Sequence, residues 1–124
     1  MTLELVHNDT RSEEERKVAM LAEGHAACDV WLRLLPRDSM CRLAFFNVRE
    51  GLREALDLAD PDFVVTTTWR SAAPAGDELA VIDEAAAACT EWAKGAPGTW
   101  STFWTRLAGA LSKWASGRRN LGGL

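Results

Sequence analysis

His25, Cys28 and Asp29 are the grouping in this chain whose residue types and spacing come nearest to a chemical site. On a helix Cys28 stands three positions after His25 and Asp29 four, so all three share a face. A carboxylate in that place can orient an imidazole for acid–base work. A histidine and a cysteine can instead supply two metal ligands, leaving two more to be found among Cys41, Cys89 or a carboxylate. No C-x-x-C spacing provides them. The structural alternative is a histidine at the core edge that donates to Asp29, with Cys28 packed as a small hydrophobe. Cys41 and Cys89 also fall on apolar faces, where a thiol has a raised pKa and is inert. The structural reading is favoured, and no catalytic residue, metal ligand or cofactor is assigned.

A second grouping is basic. Arg42, Arg49 and Arg53 follow one flank of the second predicted helix, with Arg33 and Arg37 near its start. Guanidinium forks match phosphates and acidic protein patches alike. The alternative, which is favoured, is a solvated face with Arg53 paired locally to Asp57 at i+4. Phe46 lies beside the stripe and away from the expected buried face, and an exposed Phe flanked by arginines marks a contact site. Other aromatic residues are not interleaved with the arginines as they are in single-strand binders. A net charge of −4 and a pI near 5.2 argue against generic binding to nucleic acid or anionic membranes.

The elements that must hold these residues are read from periodicity. A long helix is predicted from Thr10 to Leu35, capped by Thr10 or Ser12, with Glu13, Glu14 and Glu15 at its positive end and Pro36 as its stop. It has two apolar stripes. Val18, Leu21, His25, Cys28, Leu32 and Leu35 form one; Met20, Gly24, Ala27, Trp31 and Leu34 form the other. Such a helix is either central in the fold or packed against another molecule. A second helix over 39–59, capped by Asp38 or Ser39, packs antiparallel to the first because the link is short. Its predicted buried face includes Ala44, Phe45, Val48, Leu52 and Leu56. A third helix over 77–94 opens at Asp77, with Asp83, Glu84 and Glu91 facing out. A fourth over 100–116 carries Trp100, Phe103, Trp104, Leu107, Leu111 and Trp114 on one stripe, with Gly117 at its end.

Between the second and third helices, residues 63–69 alternate Phe63, Val65, Thr67 and Trp69 on one side. This predicts a short extended segment, for which Leu3–Val6 is the available partner. Asp60-Pro61 also has the form of a helix start. The fold class expected is mainly α, a compact four-helix bundle over 1–117 with a flexible tail at 118–124.

With six Trp and no Tyr in 124 residues, 48% apolar and 26% charged, the composition is that of a globular chain. It suits a GC-rich bacterial or phage genome. The start has no signal-peptide pattern and no stretch is long enough to span a membrane, so a cytoplasmic protein is expected. Three cysteines, odd in number and widely spaced, fit a reducing compartment.

The function expected is a non-enzymatic protein–protein interaction module, a regulator, adaptor or inhibitor of a larger complex. Its partner is another protein or a second copy of itself. The preferred self-association face is Met20, Gly24, Ala27, Trp31 and Leu34, and the second candidate is Arg42, Phe46, Arg49 and Arg53. The Trp stripe is expected to close the core. Alternatives are a phage-encoded inhibitor of host defence that binds a nucleoprotein complex, and a small enzyme or metal site around His25, Cys28 and Asp29.

Overall fold

The computed structural model describes residues 12–64 and 66–122. Four helices account for the fold: α1 (Glu13–Leu34), α2 (Cys41–Ala59), α3 (Glu78–Gly95) and α4 (Thr99–Gly122). They pack as two hairpins, α1 against α2 and α3 against α4, and α1 also packs on α3. The fold is the mainly helical bundle expected from the periodicity, with no strand among the described residues.

The helix ends have local causes. Ser12 begins α1 through a capping box. Its hydroxyl accepts from the Glu15 amide at 3.1 Å, and the Glu15 carboxylate accepts from the Ser12 amide at 2.9 Å. Pro36 forces the preceding residue out of helical backbone. Leu35 accordingly stands at φ −65°, ψ 144°. Arg42 then reaches back from α2, its Nη1 donating to the carbonyls of Leu32 at 2.5 Å and Leu35 at 3.4 Å. It thereby covers acceptors that a helix end leaves open.

Met40, rather than Asp38 or Ser39, is the N-cap of α2, and it offers no side-chain acceptor. Ser39 works at one remove. Its hydroxyl accepts from the Cys41 amide at 3.2 Å and donates to Glu78, tying the first hairpin to the start of α3. Asp77 caps α3 as expected, accepting from the Ala80 amide at 3.0 Å. Ala44, placed on the buried side of α2 by its spacing, is exposed.

Among the described residues of 60–77 there is neither the helix that Asp60-Pro61 suggests nor a strand, and the proposed partner Leu3–Val6 lies outside the described residues. The alternation survives nonetheless. Phe63, Thr67 and Trp69 are half-buried while Val64, Thr66 and Thr68 are exposed. The helices, not a second strand, receive the inward side chains. Gly76 closes the connector at φ +83°, a left-handed conformation that favours glycine. Its amide donates to the Leu34 carbonyl at 2.7 Å.

Gly117 does not end α4, which continues to Gly122. One interior glycine costs a helix only about 1 kcal/mol, and α3 offers partners beyond it. Arg118 lies 3.4 Å from Glu78 and 5.1 Å from the centre of the Trp114 ring, and Arg119 pairs with Asp83. Residues 118–122 therefore continue α4.

Both apolar stripes of α1 face inward, Leu21 and Cys28 on one side and Ala27 and Trp31 on the other. α1 is the central helix. On α4 the buried line is Trp104, Ala108, Leu111 and Ala115, while Trp100, Leu107 and Trp114 lie half-buried at its margin and Phe103 is exposed. The Trp stripe thus covers the core along one edge only.

Candidate functional site

α1 brings His25, Cys28 and Asp29 to one face, but the geometry is not that of a catalytic pair. His25 is only 4% exposed, and both ring nitrogens lack a hydrogen-bond partner. Its Nδ1 stands 3.9 Å from the nearer Asp29 oxygen, beyond hydrogen-bond length. The expected donation to Asp29 is therefore not made. Arg49, arriving from α2, takes that carboxylate instead, with its Nε 2.6 Å from Asp29 Oδ1. Burial lowers the His25 pKa below its ordinary value. Asp29 works against that shift and Arg49 with it. At neutral pH the ring is neutral.

Cys28, Cys41 and Cys89 are free and buried. Burial pushes the Cys28 and Cys89 thiols up to about 12, and raises Cys41 with help from the nearby Glu78 charge. None holds a thiolate at neutral pH. Among the described residues no three His, Cys, Asp or Glu side chains are grouped as metal ligands would be.

The densest polar arrangement is one that periodicity misplaced. Glu84, expected to face out from α3, turns inward and accepts from Trp31 Nε1 at 2.8 Å, Trp69 Nε1 at 3.0 Å and the Ala72 amide at 2.8 Å. Burial raises its pKa, but the hydrogen bonds from Trp31, Trp69, Ser71 and Ala72 outweigh burial and the net shift is downward. One carboxylate thus fastens the connector to α1 and α3. Glu23 does the same for Trp92, accepting at 2.6 Å, and Trp104 donates to the Met20 sulfur at 3.0 Å. The sequence did hold a signal for this. Buried indoles need acceptors, and a core of Trp with few polar residues must draw carboxylates from its rim.

The first of the two expected partner faces is interior. Met20, Gly24, Ala27 and Trp31 are buried and Leu34 is half-buried. Gly24 is where the helices approach most closely: a Cβ there would stand 3.0 Å from Leu52 Cδ1 and 3.0 Å from Trp104 Cη2. The thin face admits the chain's own side chains, so these residues are not exposed to a second copy.

The second face is at the surface. Arg42 and Arg49 line a groove of about 580 Å³ between α1 and α2 with Phe46, Leu43, Arg33 and Asp29. Arg53 points elsewhere along α2, 3.8 Å from Asp57. No protein-family model, curated protein or solved structure matches this chain. Met40, Leu43 and Phe46 are 87%, 67% and 46% exposed, three large apolar side chains at the N-terminal end of α2. No helix described is long and apolar enough to cross a membrane.

Proposed function

We propose that the protein is a non-enzymatic interaction module whose docking surface is the groove between α1 and α2 together with the outer side of α2. The observation that carries this reading is the exposed row Met40, Leu43 and Phe46 beside three arginines. Exposed apolar side chains bordered by Arg are the usual make-up of an interface centre. The partner is a protein segment that presents apolar and acidic side chains together. Charge supports that choice: the groove holds Arg33, Arg42 and Arg49 against Asp29, with Glu50 beside it 3.3 Å from Arg49, in a chain whose net charge is −4. Arg49 is held by Asp29 and Arg42 by the end of α1, so less side-chain freedom is lost on binding.

The test is a photo-crosslinking benzophenone side chain at position 46, used in the native host with and without a Met40→Asp, Leu43→Asp double variant. An acidic protein crosslinked at that position, lost from the double variant and weakened by raised salt, is the expected result. Equal capture by the double variant overturns the assignment. Sedimentation across a concentration series covers the self-association form: a dimer abolished by the double variant identifies a second copy as the occupant, in place of an acidic partner.

A further inference from the structure

Among the described residues, the buried side-chain polar atoms without a hydrogen bond are His25 Nδ1, His25 Nε2 and Arg49 Nε. Buried polar groups are rarely left unpaired, and each such case needs a reason. These two side chains face the same carboxylate. Asp29 Oδ2 stands 3.9 Å from His25 Nδ1, and Asp29 Oδ1 stands 2.6 Å from Arg49 Nε. The arginine contact is short but out of line, an ion pair without a hydrogen bond. One carboxylate is contested by two cationic side chains and fully engages neither.

We propose that His25, Asp29 and Arg49 form a proton-operated latch on the groove between α1 and α2: protonation of His25 transfers Asp29 to the imidazolium and releases Arg49 toward an acidic side chain of the partner. The consequence for the partner rests on the docking surface proposed above, and the latch itself does not.

The charged groups that act most strongly on the ring are Asp29 on α1 and Arg49, Arg53 and Glu50 on α2. The two acids favour its protonation, and the two arginines and burial oppose it. A charged ring that is 4% exposed needs an anion. Asp29 is within reach, because a shift of about 1 Å brings its oxygen into hydrogen-bond range. That shift draws the carboxylate away from an Arg49 contact already out of line, and the new positive charge repels the guanidinium. Arg49 then keeps Glu50, whose Oε2 accepts from its Nη1 at 3.3 Å on the exposed side. Arg49 lines the groove beside Arg42 and Phe46, so its release adds positive charge where an acidic segment would lie.

NMR of the full chain tests the latch without a partner. The His25 imidazole and the Arg49 Nε–H are followed from about pH 8 to about pH 5, with the amide spectrum confirming that the chain stays folded. The two signals change with one midpoint, and Arg49 moves to the position it holds at every pH in Asp29→Asn. In His25→Gln the Arg49 signal stays at its neutral-pH position. An Arg49 signal that does not follow His25, or that still moves in His25→Gln, overturns the proposal. The probe for the partner is a peptide alternating leucine and aspartate, whose carboxylates remain largely ionised at about pH 5. The wild type binds it about fivefold more tightly at that pH than at neutral pH, and His25→Gln does not show the difference. Equal wild-type affinity at the two values also overturns the proposal. Absence of binding at both counts against the docking surface alone, since the NMR titration decides the latch.

Discussion

At the scale of residues, two titrating groups set how this protein responds to acid. Glu84 has a folded-state pKa below its ordinary value. Its stabilisation is complete above the unfolded value of about 4.5 and is lost as pH falls through the lower folded value. Glu84→Ala leaves the indole N–H of Trp31, which is 1% exposed, without an acceptor. A loss of about 2–3 kcal/mol in urea unfolding at pH 7 is expected. The variant's stability also varies less with pH below 4.5 than the wild type's. His25 acts earlier in the titration. Burial depresses its folded pKa below about 6.5, so its neutral form is favoured by folding and stability declines as pH falls below that value. His25→Phe is expected to flatten the change in Tm between pH 7.5 and pH 5. An unchanged slope there assigns the acid sensitivity to other groups.

At the scale of elements, α1 organises the molecule because it offers two apolar sides and a thin point. Gly24 lets Leu52 from α2 and Trp104 from α4 close over the same position. Gly24→Ala gains helix propensity, yet its methyl needs room that two packed side chains occupy. A net loss of about 1–3 kcal/mol by thermal or denaturant unfolding is expected. A stabilised variant shows instead that Trp104 moves aside freely. Boundaries were legible wherever a local device set them. The Ser12–Glu15 box, Pro36 and Asp77 act within a few residues of chain. The end of α4 was not legible, because Glu78 and Asp83 on another helix hold Arg118 and Arg119 in place.

At the scale of the whole molecule, one buried cluster draws on all four helices and receives Phe63, Trp69 and Ala73 from the connector. The aromatic rings are continuous through it, Trp31 to Trp92 at 6.2 Å and Trp92 to Trp104 at 4.7 Å. A core without a dividing plane unfolds as a unit. Denaturant curves followed by Trp emission and by helical circular dichroism are therefore expected to coincide. Separated midpoints establish that one hairpin melts before the other. The surface reflects the same economy of apolar residues. Large apolar side chains that the core does not accommodate, Met40, Leu43, Phe46 and Leu58 among them, remain exposed at the start of α2 and along it.

The sequence by itself determined the helical class, the four elements, the two apolar sides of α1 and the arginine-flanked Phe46. All of these follow from spacing along one chain segment, at 3.6 residues per turn, and from capping chemistry that acts locally. Tertiary structure decided that both apolar faces of α1 are buried, where the indole N–H groups find acceptors, and that His25 is left without one. Those outcomes depend on side chains brought together from distant positions, Trp31 with Glu84 and Asp29 with Arg49. Periodicity assigns a residue to a face, but only packing decides what that face meets. For the same reason the Met20–Leu34 face, read as a surface for a second molecule, became the place where this molecule closes on itself.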